Sequence, residues 1–293
     1  MKVAIIDMGS NSIRLLLGEF VEGTWQGQPK RLWTTRLGQR NEDGSLSQAS
    51  MEASYKALKD IQEAVRNFGA DCVYGLATSA VREAPNGTDF MAEAAKICPM
   101  EGHIISGDKE AELGFLGATS DYLSSGNNYA ILDVGGGSSE IAIGCGQGLL
   151  WSHSYPMGAV RFQALSDASP SAVSDKAQSL WLDLPDNLLV EEWIGIGGTA
   201  TTLGAMDLAM EVYDPERLQG HRVNLERIEA MVADLRSKTA EEKRMIPGLQ
   251  PGRADIITAG AEIVVAAMHR YGAKSLIISE KDGMEGFVGT IHE

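Results

Sequence analysis

Two apolar segments near the N-terminus flank a short polar turn, and the same arrangement returns farther along the chain. The first reads AIIDMGSNSIRLLL from Ala4, and the second reads AILDVGGGSSEIAIG from Ala130. Short aliphatic runs bounded by Gly, Ser and Asn are typical of buried strands joined by tight turns. Each segment therefore predicts a hairpin with an aspartate placed beside its turn.

The two segments align residue for residue at a spacing of 126 positions. Six of fifteen aligned positions are identical, including Asp7 with Asp133 and Gly9 with Gly135. One explanation is a pair of unrelated strand–turn–strand units that both need glycine. We interpret the likeness instead as the duplication of one folding unit.

The rest of the pattern alternates strands and helices. In the first half it predicts strands at Val3–Asp7, Ile13–Phe20, Arg31–Leu37, Cys72–Ala77 and His103–Ile105, and helices at Ser47–Asn67, Thr88–Ile97 and Lys109–Thr119. In the second half it predicts strands at Tyr129–Asp133, Glu140–Gly144, Leu150–Tyr155, Trp193–Ile196 and Ser275–Ile278, helices at Val160–Leu165, Ser171–Leu182, Leu225–Ser237, Ala254–Tyr271 and Met284–Ile291, and a helix opened by the turn GGTATTLGAM. Strands mixed with helices in both halves predict an α/β fold.

The length of 293 residues exceeds the usual size of a single core, which predicts two domains. We place their boundary near residue 120. The first lobe then covers residues 1–119 and the second covers residues 120–293. The last helix, at about residues 284–293, is a candidate to pack back on the first lobe.

The net charge of −15 argues against a general nucleic-acid binder, which needs a broad basic face. The three cysteines form no CxxC pair, which indicates a reducing compartment. The N-terminus lacks the pattern of a signal peptide, and no apolar run approaches the ~18 residues that a membrane span needs. These features predict a cytoplasmic protein without a membrane partner.

The two glycine turns indicate where the chemistry lies. Glycine lets the backbone approach an anion closely and direct N–H groups at it, and Ser and Asn add further donors. An aspartate beside a phosphate is repulsive unless a divalent cation lies between them. Mg²⁺ prefers one or two carboxylates together with phosphate oxygens and water. The pattern predicts a phosphate site with a metal carboxylate, present once in each lobe across a shared cleft.

Several motifs carry a family resemblance. The segments DMGSNS, LDVGGGSSE and GIGGTATTL resemble the phosphate and glycine motifs of the actin/hexokinase/Hsp70 superfamily. Four further segments, RLG, ATSAVREAPNG, IISGDKEAEL and RADIITAG, occur in the order found in the exopolyphosphatase/guanosine pentaphosphate phosphohydrolase (Ppx/GppA) family. The resemblance covers essentially the whole chain, in a short form without the helical C-terminal region of longer relatives.

The resemblance implies an α/β fold of two ribonuclease H-like (actin-like ATPase) lobes with an interdomain cleft. It implies a phosphohydrolase, dependent on Mg²⁺ or another divalent cation, that acts on inorganic polyphosphate or guanosine pentaphosphate. The alternatives are a small-molecule kinase on the same scaffold and a non-catalytic nucleotide- or alarmone-binding regulator. A homodimer is left open.

The site residues follow from the resemblance position by position. Glu110 matches the catalytic glutamate that activates water, and Arg82 matches an arginine that points at substrate phosphates. The metal carboxylates correspond to Asp7, Asp133 and Glu140. The phosphate-binding positions correspond to Gly9, Ser10, Asn11, Ser12, Gly135, Gly136, Gly137, Ser138, Gly197, Gly198 and Thr199.

Three of these assignments have a structural alternative. Glu110 would otherwise be a solvated helix-start residue stabilised by the helix dipole. Arg82 would otherwise form a surface ion pair with Glu83, and the third glycine motif would serve tight helix–strand packing. The chain also departs from the family pattern at Lys109, at Met284 and in GHR from Gly220, which leaves substrate choice open.

Overall fold

The computed structural model describes residues 1–122, 127–185 and 188–291. The chain divides into unit 1 (Met1–Gly107) and unit 2 (Asp108–Glu293). Unit 1 ends where the helix Gly107–Thr119 begins, a helix that the sequence analysis assigned to the first lobe. The lobe boundaries inferred from the sequence stay a prediction.

Unit 1 is a mixed sheet with helices. Its elements are β1 (Lys2–Met8), β2 (Ser12–Val21), β3 (Thr24–Gly27), β4 (Arg31–Thr34), α1 (Gln48–Phe68), β5 (Cys72–Ala77), α2 (Ser79–Arg82), α3 (Gly87–Ile97) and β6 (Glu101–Ile104). The strand order is β3-β2-β1-β5-β6, with β4 also paired to β2. The β1–β2 hairpin is antiparallel, whereas β1, β5 and β6 run parallel.

The amphipathic helix α1 covers this sheet for reasons visible in the sequence. Ser47 caps its first turn by accepting a hydrogen bond from the Ser50 amide. Gly69 ends it in a left-handed conformation at φ +72°, which glycine adopts without steric cost. Its buried face includes Leu58 and Ile61, which pack in the core formed with β1 and β2. Burial of this stripe against the sheet stabilises the helix more than its intrinsic propensity does.

Unit 2 repeats this plan with more helices. Its elements are α4 (Gly107–Thr119), β7 (Tyr129–Val134), β8 (Ser139–Cys145), β9 (Gly148–Tyr155), α5 (Gln163–Ala168), α6 (Ala172–Gln178), β10 (Glu192–Ile196), α7 (Gly197–Asp207), α8 (Pro215–Leu218), β11 (Arg222–Asn224), α9 (Leu225–Arg236), α10 (Ala240–Lys243), α11 (Ile257–Tyr271), β12 (Ser275–Ile278) and α12 (Gly283–Ile291). The strand order is β11-β12-β10-β7-β8-β9. The helix α11 is buried along most of its length in the core of this unit.

Both sheets share one topology. In each, a meander of three antiparallel strands is continued by two strands that run parallel to the first strand of the meander. This is the ribonuclease H-like strand order. In it, β1 holds the position in its sheet that β7 holds in the other, and β2 the position that β8 holds, as the internal repeat requires. The predicted α/β fold class is confirmed.

Some predicted elements have different bounds. The strand expected at Arg31–Leu37 ends at Thr34, because Arg36 adopts φ +54° and the chain turns. The helix expected at Val160–Leu165 begins later, at Gln163, and the one expected at Ser171–Leu182 already ends at Gln178. The sequence analysis did not predict the short strands β3 and β11. Most of their residues are exposed, so they lack the row of buried positions that identifies a strand.

The last helix packs on α4. A Cβ on Gly117 would overlap the Asp282 carbonyl oxygen, and one on Gly286 would overlap the Leu113 carbonyl oxygen, so glycine permits direct backbone contact. Residues 292 and 293 of the predicted helix lie outside the described residues. None of the helices in the described ranges is both long and apolar enough to cross a bilayer.

Candidate active site

Two predicted site carboxylates in unit 2 lie on one rung of the β7–β8 hairpin. Asp133 and Glu140 are direct cross-strand partners. Directly opposite residues project to the same face of a sheet, with Cβ atoms typically about 5 Å apart. The hairpin therefore presents two acidic groups together beside the glycine turn that joins its strands.

Burial and neighbouring negative charge act together on Glu140. Only 3% of the surface of Glu140 is exposed, and Ser154 Oγ donates a hydrogen bond of 2.6 Å to Glu140 Oε1. Burial raises the pKa of Glu140 well above its usual value, and the nearby carboxylates of Glu110 and Asp133 raise it further. The structure thus brings the predicted acidic residues Glu110 and Asp133 within electrostatic reach of Glu140.

Glu110 lies in the first turn of α4 and is half-buried. The helix dipole favours a carboxylate there, as the structural alternative stated. Its charge nevertheless acts on the buried Glu140, which places it in the carboxylate cluster. The neighbouring Lys109 forms an ion pair with Glu112 at 3.0 Å, so its ammonium group is held by a residue of the same helix.

The third glycine motif borders the same cluster. Gly197 starts α7 at φ +72°, and a Cβ there would overlap the Asp133 carboxylate. The Arg253 guanidinium lies against Gly198, and a Cβ there would displace the end of that side chain. Thr199 is buried, and its hydroxyl donates to the Val134 carbonyl at 2.6 Å. Thr199 therefore ties the start of α7 to the end of β7.

The equivalent rung in unit 1 has a different charge. Asp7 lies directly opposite Arg14, whose Nε and Nη2 donate to Asp7 Oδ2 at 2.9 and 2.6 Å. The Asp7 charge is therefore partly neutralised inside the hairpin. Whether Asp7 binds a metal stays a prediction.

The polar residues of the unit 1 turn are buried. Ser10, Asn11 and Ser12 are each less than one-tenth exposed, and Asn11 Nδ2 donates to Ser12 Oγ at 3.3 Å. The Gly9 amide closes the turn by donating to the Ser12 carbonyl at 3.0 Å, and Gly135 does the same to Ser138. The two predicted phosphate loops therefore share one backbone geometry.

Arg82 ends the short helix α2 that follows strand β5. Its Nη1 donates to the Ile105 carbonyl at 2.8 Å, and the side chain is part-buried. Glu83, the ion-pair partner considered from the sequence, accepts a hydrogen bond from Ser79 and faces Arg40 at 3.8 Å. The guanidinium is thus fixed to the backbone just before α4.

The donor set fits a hard divalent cation. Asp133 and Glu140 would offer carboxylate oxygens to such a cation. Burial first, and then the negative charges of Glu110 and Asp133, raise the pKa of Glu140, and a bound cation would offset that charge. Among the described residues, no three His, Cys, Asp or Glu side chains form a metal-binding group by themselves. Mg²⁺ typically takes one or two carboxylates and completes its coordination shell with water and phosphate oxygens.

Comparison with known proteins gives the family. The chain matches the Ppx/GppA phosphatase family over residues 29–291. It is 30% identical to Exopolyphosphatase 2 of Mycobacterium tuberculosis over 97% of both chains. It is 27% identical to guanosine-5'-triphosphate,3'-diphosphate pyrophosphatase of Pseudoalteromonas atlantica, over 97% of this chain and 57% of that protein.

A solved structure agrees with this result. The crystal structure of the Aquifex aeolicus member of the Ppx/GppA family superposes with a TM-score of 0.79 at 25% identity, covering 100% of this chain and 97% of the other. The chain therefore belongs to the Ppx/GppA phosphatase family, and the resemblance found in its motifs is confirmed.

Two residues that contact the predicted site carboxylates had no assigned role in the sequence analysis. Ser154, which bonds Glu140, comes from β9 and carries no motif. Arg14 was assigned no role, although its place opposite Asp7 follows from the hairpin register. Among the departures from the family pattern, Met284 is buried in the core and His221 bonds Asp207 on α7.

Proposed function

We propose that this protein is a phosphohydrolase that releases the terminal phosphate of inorganic polyphosphate, of guanosine pentaphosphate, or of both. Membership of the phosphatase family supports the reaction class. The observation that carries the proposal is the carboxylate cluster of unit 2, in which the charges of Glu110 and Asp133 both act on buried Glu140, the cross-strand partner of Asp133, beside a glycine loop. The named relatives supply the two substrate candidates.

Glu110 is the proposed general base. Its carboxylate accepts a proton from the attacking water as the water approaches the terminal phosphorus in line with the leaving oxygen. Electron density moves from water oxygen to phosphorus while the bridging P–O bond breaks. The proton ends on Glu110, and the shortened phosphate chain leaves with its negative charge.

Asp133 and Glu140 would hold the divalent cation. When bound, Mg²⁺ would neutralise charge on the phosphate oxygens, and the carboxylate pair provides the hard oxygen ligands that this ion prefers. Ser154 keeps Glu140 oriented through its hydrogen bond. Gly197 leaves the Asp133 carboxylate room beside the start of α7.

The glycine loop of residues 135–138 supplies N–H donors to the phosphoryl group. Backbone donors that are already oriented stabilise the spreading charge of the transition state without reorganisation. The loop of residues 9–12 has the same closing hydrogen bond and is proposed to bind phosphate in the same manner. Arg82 adds a planar guanidinium suited to phosphate oxygens.

The experiment is a phosphate-release assay on both substrates side by side, with and without Mg²⁺ and with no acceptor other than water. We expect metal-dependent phosphate release from at least one substrate. Transfer of the phosphoryl group to an added small-molecule acceptor, without release of free phosphate, would instead identify a kinase. Ligand binding without release would identify a regulator, and either result would refute the proposal.

A further inference from the structure

Each predicted phosphate loop has its backbone carbonyls tied to a separate segment of the chain. We define loop 1 as residues 9–12 and loop 2 as residues 135–138. Supporting segment 1 is residues 35–38, which includes the RLG motif, and supporting segment 2 is residues 158–161. Each supporting segment follows a strand that pairs with the second strand of its hairpin, β4 in unit 1 and β9 in unit 2.

Three consecutive carbonyls of loop 2 are held by segment 2. The Gly135 oxygen accepts from Ala159 N at 2.9 Å, the Gly136 oxygen from Val160 N at 2.9 Å and Arg161 N at 3.1 Å, and the Gly137 oxygen from Arg161 Nε at 2.7 Å. The last of these bonds comes from a side chain. Backbone amides of segment 2 thus hold Gly135 and Gly136, and the Arg161 side chain holds the next residue of the loop, Gly137.

Loop 1 is held in the same way. The Ser10 oxygen accepts from Gly38 N at 2.7 Å, and the Asn11 oxygen accepts from Thr35 N at 3.1 Å and Arg36 N at 2.9 Å. Arg36 adopts φ +54° there, a conformation that persists in a non-glycine residue only where the surroundings fix it. Both loops therefore have carbonyls held by backbone amides of a separate segment, although the individual bonds are not at equivalent positions.

These bonds set the direction of the loop amides. In a trans peptide the C=O of one residue and the N–H of the next point in opposite directions, and the described residues contain no cis peptide bond. Carbonyls drawn toward segment 2 therefore turn the amides of Gly136, Gly137 and Ser138 away from it. The same argument turns the amides of Asn11 and Ser12 away from segment 1.

We propose that the supporting segments orient the phosphate-binding amides, and that Arg161 is a positioning residue that acts through the Gly137 carbonyl. This inference rests on the proposed function for its substrate and adds the residues that prepare the site. It also gives a role to the RLG motif and to the glycine at position 158. A Cβ on Gly158 would lie 2.5 Å from the Gly136 carbonyl carbon and oxygen, so any side chain there would displace the support.

The test compares Arg161→Ala, Arg161→Gln, Arg161→Lys and Gly158→Ala. Gly289→Ala, where a Cβ meets nothing within 4 Å, and Arg270→Ala, at the exposed end of α11, are matched controls. We expect Arg161→Ala and Gly158→Ala to lower kcat/KM roughly 100-fold, through both kcat and KM, because the loop amides would be misdirected in the bound substrate and in the transition state. Both controls should keep wild-type values.

The glutamine variant separates positioning from charge. Glutamine retains an N–H donor without charge, so Arg161→Gln should recover more activity than Arg161→Lys if the residue acts on the Gly137 carbonyl. Recovery by lysine alone would show that Arg161 acts as a charge on the substrate and would overturn the inference. Unchanged kinetics in Arg161→Ala and Gly158→Ala would overturn it as well, whatever their melting temperatures.

A binding measurement keeps this test independent of turnover. Calorimetry with inorganic tripolyphosphate in the Glu110→Gln background should show affinity weakened about tenfold or more by Arg161→Ala and by Gly158→Ala. Equal affinities would contradict the inference. Wild-type protein that binds tripolyphosphate but hydrolyses neither substrate would refute the proposed function alone.

Discussion

The duplicated hairpins carry the same aspartate but place opposite charges across from it. Position 14 is an arginine that bonds Asp7, whereas the equivalent position 140 is a glutamate that shares a rung with Asp133. One rung therefore contains its own counter-charge, and the other accumulates negative charge. We therefore propose that a divalent cation binds at the second rung, whereas Arg14 supplies the positive charge at the first.

This difference predicts unequal effects of two identical substitutions. Asp133→Asn should raise the Mg²⁺ concentration for half-maximal phosphate release about tenfold or more, because one of two acidic ligands is lost. Asp7→Asn should change that concentration by less than about threefold, because Arg14 already balances Asp7. The measurement is a Mg²⁺ titration of both variants. A larger shift in Asp7→Asn than in Asp133→Asn would favour the sequence-based assignment of Asp7 as a metal ligand.

At the scale of elements, the sequence predicted what depends on local pattern. The β1–β2 and β7–β8 hairpins, the cap of α1 at Ser47 and the glycine start of α7 all follow from residues close together in the chain. The Arg31–Leu37 strand was overextended because Leu37 is buried and apolar, although it lies in a turn. Leu37 is buried by tertiary packing, and the hydrophobic pattern of a sequence cannot distinguish such a residue from one in a buried strand.

The site was predictable only in part for the same reason. Glycine and acidic motifs identified its loops, but the supports of those loops come from segments with weak local signals. Arg161 contacts Gly137 from 24 positions away. Such contacts depend on where β9 ends, and only the folded structure supplies that information.

Helix α7 provides a prediction about stability. Burial alone would raise the pKa of Asp207 at its end, but hydrogen bonds from Arg227 and His221 outweigh this and lower the pKa below 3.8. A lowered folded-state pKa contributes stability above the unfolded value, and that contribution is lost as pH falls through the folded pKa. Asp207→Asn should cost about 1 kcal/mol at pH 7, since the pair is partly exposed.

Denaturant unfolding from neutral to acidic pH measures this effect. The difference between wild type and Asp207→Asn should stay constant down to about pH 4 and shrink below it. Asp234→Asn, in an exposed pair with Lys238, serves as the control and should change the free energy of unfolding by less than about 0.5 kcal/mol. A difference that grows as pH falls would contradict the assigned sign.

At the scale of the whole molecule, the net charge of −15 opposes the approach of a polyanion. Salt screens this repulsion over roughly 10 Å at 0.1 M, whereas hydrogen bonds within the site are less affected. With Mg²⁺ saturating, kcat/KM for long polyphosphate should therefore rise between about 20 and about 150 mM salt. A steep fall over that range would indicate a local basic surface that dominates substrate capture.

The central claim is that Glu110 activates water for attack on a terminal phosphoryl group. Phosphate release in ¹⁸O-labelled water, measured for wild type, Glu110→Gln and the same-helix control Glu112→Gln, tests it most directly. We predict one ¹⁸O atom in each released phosphate, a rate lowered at least about 100-fold in Glu110→Gln, and near-wild-type release in Glu112→Gln. Unlabelled phosphate, or an unchanged rate in Glu110→Gln, would contradict the claim.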